Sequence, residues 1–235
     1  MLLTKNEEAT IGCTLQCLRH FDEIVAVDAS TDATPQILKD YHAKVVPQLP
    51  NQFTTREHMF HFGRAKNFAV AQATHNYVFL IDGDETVHPD IYFWLRDHNL
   101  DTVHVPQVHM KDATHFYQFG GERARAGHKH HMVFDDCYNT NIIEEPAGKA
   151  PYALLNWGYA GLNVRTAQRL QDSRHVRDGK GTWWEKFNQN SVDGMLQCFN
   201  CLPGKPIETL KPLVLPLAAT NPQTATFKYA ATTTI

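Results

Sequence analysis

The sequence predicts an α/β fold in which helices flank a mostly parallel sheet, and three features of its first hundred residues predict it. Apolar segments alternate with amphipathic segments from residue 1 to residue 46, which is the order of a β-α-β-α-β unit with right-handed crossovers. Residues 23–28 form a near-continuous apolar run, typical of a strand buried on both faces. Residues 77–81 carry the strongest strand pattern of the chain and end abruptly at acidic residues.

Local patterns predict the other elements in turn. An apolar strand at 1–3 leads into a polar loop, after which Thr10 is a candidate cap for a helix whose apolar residues share one face. Pro35, close behind a Ser/Thr/Asp cluster, predicts the start of the second helix. The remaining predictions are a strand at 44–46, a helix at 65–73, a helix from 89 and a strand at 103–108. Beyond residue 100 the alternation weakens, which predicts a mixed α+β half.

Composition and charge exclude several classes of protein. The formal net charge of −3 lacks the positive field that general nucleic-acid binding requires, although a local basic patch around Arg123, Arg125 and Lys129 stays open. No segment approaches the roughly 20 apolar residues of a membrane span, and the N-terminus has no secretion signal. The five cysteines indicate free thiols in a reducing compartment. We therefore expect a cytoplasmic protein, with peripheral membrane association or a host cytoplasm left open.

Three polar clusters stand where predicted strands end, at residues 4–8, 28–32 and 82–85. In an open parallel sheet, ligands bind outside the carboxyl ends of the strands. Unrelated surface loops would have no reason to fall together at the ends of three different strands. The sequence therefore predicts a binding site at this edge of the sheet.

The cluster Asp82-Gly83-Asp84 has the composition of a site for a hard cation and phosphate. Its two carboxylates can face one ligand, and Gly83 permits a close backbone approach or a positive φ. Mn²⁺ and Mg²⁺ take oxygen ligands and bridge them to phosphate oxygens, and a departing diphosphate needs its charge neutralised. The structural alternative is a solvated acidic turn in which Glu85 caps the next helix.

Four segments together resemble a known family: residues 4–8, 24–34, 63–69 and 79–85. In this order and spacing they resemble family 2 glycosyltransferases of the GT-A fold, and among these the lipopolysaccharide-core-type sugar transferases, with their T-K-N-E-E opening and D-x-D-E motif. The resemblance covers about the first 100 residues. It implies a nucleotide-diphosphate sugar donor, first of all a UDP- or GDP-sugar, a Mn²⁺ or Mg²⁺ ion, and a glycan, lipid-linked or protein acceptor.

On this resemblance the chain divides into a donor-binding half at 1–100, an acceptor-binding and catalytic half at 101–200 of the same domain, and an extension at 201–235. Within the first half, Asp28 would hydrogen-bond the nucleotide base. Thr4 and Asn6 would line the same base pocket, and Glu7 belongs to the predicted donor site. A carboxylate is an apt acceptor for the N–H of uracil or guanine.

The resemblance also implies the residues that would meet the diphosphate and the metal. Arg64 or Lys66 would lie near the base or the diphosphate, where a basic side chain is suitable. Asp82 would contact the ribose or sugar side, next to Gly83. Asp84 would bind the metal.

Members of this family usually invert the anomeric carbon and need a general base for the acceptor hydroxyl. In the resembling subgroup this base follows a histidine, whereas here no histidine precedes Glu144 and Glu145. Asp135 and Asp136 are the competitors. We favour Glu144 or Glu145 as the catalytic base.

Two other functions stay open. Residues 82–86 also fit the D-x-D-x-T pattern of haloacid-dehalogenase-like phosphatases, with Asp82 as nucleophile, Asp84 as acid/base and 132–136 as a metal motif, but that interpretation leaves the first 75 residues unexplained. A non-catalytic nucleotide-sugar or glycan binder is the second alternative. Elsewhere we expect structural roles for Asn67 and Trp157, and a solvated basic loop at 128–131.

Overall fold

The computed structural model describes residues 1–53, 61–110, 115–135, 148–157 and 205–206, and of residues 117–120 and 205–206 it describes the backbone alone. The elements along the chain are β1 Leu2–Thr4, α1 Ile11–Cys17, β2 Val25–Asp28, α2 Thr34–Asp40, β3 Lys44–Pro47, α3 Phe62–Gln72, β4 Tyr77–Phe79, β5 Ile81–Asp82, β6 Glu85–Thr86, α4 Ile91–His98, β7 Thr102–Met110, β8 His115–His128, a 3-10 turn Lys129–His131, β9 Gly148–Lys149, β10 Leu154–Asn156 and β11 Lys205–Pro206.

Four short strands form a parallel sheet in the order β3-β2-β1-β5. Thr4 of β1 lies opposite Asp28 of β2, and Asp82 of β5 lies opposite Leu3 on the other side of β1. The carboxyl ends of these three strands therefore meet at one edge. The predicted α/β fold with a parallel sheet is confirmed.

The parallel sheet is buried on both faces, as the apolar run at 23–28 predicted. Val25 and Val27 pack in one core cluster with Ala65 and Ala69 of α3, whereas Ala26 packs in the other cluster with residues of α1 and α2. Successive residues of a strand point to opposite faces. Helices therefore cover both sides of the sheet and leave its carboxyl edge as the place where polar side chains gather.

The starts of the first two helices differ in how they use polar side chains. At α2, Pro35 occupies the first turn, as predicted, and the Asp32 carboxylate accepts the Thr34 N–H at 3.0 Å. Thr10 stands at the start of α1, but its hydroxyl does not cap that helix. It donates instead to Glu7 Oε2 and to the Gly83 carbonyl, both at 3.1 Å, and so ties α1 to the acidic residues.

The prediction of one continuous strand at 77–81 is wrong. β4 pairs antiparallel with β8, whereas β5 pairs parallel with β1. Leu80 separates the two, and its N–H donates to the Arg125 carbonyl of β8 at 2.6 Å. One apolar run serves two sheets because the chain passes from one to the other at Leu80. The acidic residues that follow are therefore joined to both sheets.

The second sheet is mixed, with the order β11-β8-β7-β10-β6, and β4 and β9 pair with β8 and β7. It bears out the predicted mixed character of the second half, although β4 and β6 come from the first hundred residues. Trp157, after β10, is fully buried and donates from Nε1 to Thr86 Oγ1 at 2.7 Å, so the expected packing role is confirmed. Within the described ranges, no helix is long and apolar enough to cross a bilayer.

Candidate functional site

Asp28 is the centre of a hydrogen-bonded group at the end of β2, which we call the Asp28 corner (Thr4, Asp28 and Ser30). The hydroxyls of Thr4 and Ser30 donate to the same oxygen of Asp28, Oδ1, at 2.8 and 2.6 Å. Asp28 is 6% exposed. Among the described residues, no hydrogen bond reaches its second oxygen, Oδ2. The corner therefore fixes the carboxylate in one orientation and leaves it an acceptor.

Asn6 and Glu7 build the wall beside this corner through their backbone and side chains. Asn6 adopts a left-handed backbone with φ of 56°, its N–H donates to Ser30 Oγ at 2.7 Å, and its side-chain oxygen accepts the Thr31 N–H at 2.7 Å. The Glu7 N–H donates to Thr34 Oγ1 at 2.7 Å. The polar loop after β1 is thus locked to the loop after β2, which brings both predicted clusters together.

Residues 82–85, the acidic turn, pack directly against this wall. A Cβ added to Gly83 would lie 2.9 Å from Glu7 Cγ and 3.1 Å from Thr4 Cγ2, which is closer than carbon atoms pack. Gly83 is therefore required for a close approach, whereas positive φ plays no part because its φ lies outside that region. The hydroxyl of Thr14 in α1 donates to the Gly83 and Glu85 carbonyls at 2.9 and 2.8 Å.

Glu85 is the buried anchor of the acidic turn, and the sequence did not identify it as such. It is fully buried, and its Oε2 accepts the Asp82 N–H at 2.9 Å. Its Oε1 accepts from Arg125 Nη2 at 2.8 Å, from Asn156 Nδ2 at 3.4 Å and from Gln107 Nε2. Burial raises the pKa of Glu85, the Arg125 guanidinium opposes this, and Asp82 and Asp84 add to the rise. The alternative of Glu85 as a helix cap is therefore wrong.

The two basic candidates of α3 lie in different environments. Arg64, in the first turn, is exposed. Lys66 is 4% exposed, with its Nζ over the Phe134 ring at 5.3 Å. Burial lowers the pKa of Lys66 to about 8, helped by the charge of Arg125 and opposed by Asp82 and Glu85. Lys66 therefore lies within the electrostatic field of the acidic turn.

Asp82 and Asp84 present carboxylate oxygens, which are the ligands hard divalent cations prefer. The Asp82 side chain is 36% exposed and Asp84 is 8% exposed. Over the described residues, no group of three or more histidine, cysteine or acidic side chains is arranged to hold an ion alone. The donor set fits a Mn²⁺ or Mg²⁺ ion whose remaining ligands would come from phosphate oxygens and water.

The predicted catalytic carboxylates Glu144 and Glu145, and the competitor Asp136, lie outside the described residues. Asp135 is described, and it directly follows Phe134, whose backbone is held by Asn67. The Asn67 amide donates to the Phe134 carbonyl at 2.8 Å and accepts the Phe134 N–H at 2.9 Å. This double hydrogen bond confirms the structural role of Asn67 and fixes the chain just before Asp135.

An open parallel sheet that gathers hydrogen-bond acceptors and carboxylates at its carboxyl edge has its polar side chains where α/β proteins of this kind bind their ligands. Residues 1–146 match the family model described as glycosyl transferase family 2. The chain therefore belongs to glycosyltransferase family 2, and its predicted GT-A fold class is confirmed. Membership in this family, together with the use of Thr86 as partner of buried Trp157, leaves the phosphatase interpretation without support.

Two solved structures are similar to part of the chain. S. aureus TarS in complex with UDP matches at 26% identity and a TM-score of 0.38, over 47% of this chain and 35% of that one. Glucosyl-3-phosphoglycerate synthase from Mycobacterium tuberculosis, in complex with Mn²⁺, UDP and glucosyl-3-phosphoglycerate, matches at 24% identity and a TM-score of 0.36, over 46% and 42%. The match thus spans less than half of either solved chain. No curated protein matches the sequence.

Proposed function

We propose that this protein transfers a sugar from a nucleotide-diphosphate donor, a UDP- or GDP-sugar, to a hydroxyl of a glycan, lipid-linked or protein acceptor, with inversion and with Mn²⁺ or Mg²⁺. One observation carries the proposal: the Asp28 corner and the acidic turn meet at the ends of three adjacent parallel strands. A base pocket and a diphosphate site on one edge of the sheet suit a single nucleotide ligand.

The Asp28 corner supports a donor whose base carries an imide N–H. Both neighbouring hydroxyls donate to Oδ1, so the carboxylate has acceptor capacity left at Oδ2. Uracil and guanine each offer a ring N–H to such an acceptor, whereas the cytosine ring nitrogen is itself an acceptor and only the exocyclic amino group of cytosine can donate. The hydrogen-bond pattern therefore favours UDP- and GDP-sugars over cytidine donors, with Thr4, Asn6 and Glu7 as the surrounding wall.

The acidic turn supports the diphosphate end of the same ligand. Asp84 would hold the cation, Asp82 would contact the ribose or sugar, and Gly83 would let the backbone come close. The bound cation would neutralise the charge of the diphosphate. Lys66 is buried within the field of the turn, and Arg64, two residues earlier in α3, is exposed. Either side chain would add positive charge if it meets the phosphates.

The transfer itself needs a base from the second half of the chain. The acceptor oxygen forms a bond to the anomeric carbon as the bond from that carbon to the diphosphate oxygen breaks, and the acceptor proton passes to a carboxylate. We assign that carboxylate to Glu144 or Glu145, with Asp135 and Asp136 as the alternatives. Inversion follows from a single displacement of this kind.

Thermal unfolding with a panel of donors tests the proposal. UDP-, GDP-, CMP- and dTDP-sugars are each added with Mn²⁺, because a ligand that binds the native state raises its melting temperature. We expect UDP- or GDP-sugars to stabilise the protein, EDTA to remove most of the effect, and CMP-sugars to have little. Stabilisation by none of the four would contradict the proposal. Stabilisation with no sugar release to water or to any acceptor would favour the non-catalytic binder.

A further inference from the structure

Arg125 occupies a break in the longest strand pair of the protein. Val103 of β7 pairs with Ala126 of β8, but the next residue, His104, pairs with Ala124. Arg125 is therefore the extra residue of a β-bulge. A bulge turns its side chain away from the regular alternation of a strand, and bulges are frequent beside active sites. Arg123, two residues earlier, is exposed, whereas Arg125 is 2% exposed.

The bulge directs Arg125 into the acidic turn. Its Nη2 donates to Glu85 Oε1 at 2.8 Å, and Nη1 and Nη2 both lie 3.5 Å from Asp82 Oδ2. The sequence left open a local basic patch that would include Arg125, but Arg125 is buried and so does not contribute to a surface patch. On the other side of the same residue, the Arg125 carbonyl accepts the N–H of Leu80 at 2.6 Å. Arg125 thus holds the chain at Leu80, just before the acidic turn, and at Glu85, the last residue of the turn.

Stability alone does not account for this arrangement. Burying two charges costs more free energy of desolvation than burying a well-packed apolar pair would. Among the described residues, Arg125 Nε has no hydrogen-bond partner that would offset part of this cost. The fork of the guanidinium instead places two donors against two different carboxylates of one turn. Such a geometry restricts the direction of those carboxylates.

We propose that Arg125 is a positioning residue, which through Glu85 and Asp82 fixes the acidic turn in the conformation that binds a nucleotide diphosphate and its cation. The inference rests on the proposed function and deepens it. Glu85 transmits the constraint because its Oε1 accepts from Arg125 while its Oε2 accepts the Asp82 N–H. Asp82 is held both by its backbone and at its carboxylate, and Asp84 follows two residues later.

A set of three variants separates positioning from stability. Arg125→Met removes one partner and leaves Glu85 buried without its cation, so this variant is expected to lose stability. Arg125→Met with Glu85→Gln removes both charges, and we expect it to fold with a melting temperature within about 10 °C of wild type. Arg125→Lys keeps the charge but loses the fork. Arg96→Met, at a surface pair with Asp97, is the matched control.

The readout is the dissociation constant of UDP and of GDP with Mn²⁺ and with EDTA, measured by calorimetry beside the melting temperature. We expect the double variant to fold yet to bind the better nucleotide about tenfold more weakly with Mn²⁺, with little change in EDTA, because the loss of charge-assisted contacts disorders the turn. Arg125→Lys should lose part of the Mn²⁺-dependent affinity at nearly unchanged melting temperature. Arg96→Met should match wild type.

Two results would overturn the inference in distinguishable ways. If wild type binds UDP or GDP with Mn²⁺ and the folded Arg125 variants bind it equally well, Arg125 is structural and the proposed function stands. If wild type binds neither nucleotide, the proposed function fails and the positioning role fails with it. Should the double variant not fold, Arg125→Lys decides alone: equal Mn²⁺-dependent affinity overturns the inference.

Discussion

The Asp28 corner and the acidic turn lie on neighbouring strand ends but are built in different ways. The corner consists of hydroxyl-to-carboxylate bonds that join the last residues of β1 and β2 and the loop after β2. The acidic turn depends on buried charge, with Glu85 joined to Arg125, Gln107 and Asn156 from the mixed sheet. The proposed base end is therefore held within the parallel sheet, whereas the proposed diphosphate end is supported by residues from across the fold.

The largest expected effect is at Asp84, which tests whether the acidic turn is the metal end of the site. Asp84→Asn keeps the size of the side chain and removes its charge. We expect sugar transfer to fall by roughly 100-fold or more and Mn²⁺ to stop strengthening UDP or GDP binding, while the melting temperature stays near wild type. Initial rates and calorimetry check this. Full activity in this variant, or in excess EDTA, would contradict the metal role. Asp40→Asn, at an exposed residue of α2, is the control.

The difference between the two ends also explains what could be predicted from the sequence. Thr4, Asp28 and Asp82 were found because each directly follows an apolar run that ends at the carboxyl edge. The contact of Arg125 with the acidic turn was not predicted. Arg125 faces inward at a β-bulge, and the alternation of residue types in the sequence does not indicate a bulge there. The continuous run at 77–81 likewise gave no sign of the sheet change at Leu80. The catalytic carboxylates Glu144 and Glu145 remain predictions.

Lys66 tests the charge balance of the acidic turn through pH. Its native pKa of about 8 lies below the ordinary value of 10.5, so between these pH values the native state binds fewer protons than the unfolded state. The free energy of unfolding of metal-free wild type should therefore rise as pH increases from 8 to 10.5, and be lowest below 8. Lys66→Met should remove this rise and gain up to roughly 3 kcal/mol at pH 7.

Chemical denaturation across this pH range measures the slope, with Lys39→Met, an exposed lysine of α2, as control. The same Lys66 variant should bind UDP or GDP more weakly with Mn²⁺, because a positive charge beside the phosphates is lost. An unchanged slope would mean that Lys66 does not titrate as a buried lysine.

Gly83 tests the contact between the two ends. Gly83→Ala would press a methyl group against Glu7 and Thr4, at 2.9 and 3.1 Å before relaxation. We expect a loss of about 1–3 kcal/mol in the free energy of unfolding from overpacking, together with weaker nucleotide binding. Gly12→Ala is the matched control, because a Cβ there meets nothing within 4 Å. Equal stability of the two variants would show that the ends are not packed tightly.

Asp28 gives the smallest expected change and tests the base end alone. Asp28→Asn should weaken UDP or GDP binding about tenfold, near 1.4 kcal/mol, since one acceptor of the base N–H is lost. The loss should be the same in Mn²⁺ and in EDTA, because the corner is separate from the cation. A loss seen in Mn²⁺ alone would mean that the two ends are not independent, contrary to the comparison.

The most direct measurement is calorimetric titration of UDP and GDP into wild-type protein, each with Mn²⁺ and with EDTA. If one nucleotide spans the Asp28 corner and the acidic turn, at least one of the two should bind, and its affinity should fall about tenfold or more when the cation is removed. Binding of equal strength in Mn²⁺ and EDTA, or no binding of either nucleotide, would contradict the assignment of this edge as a metal-assisted nucleotide-sugar site.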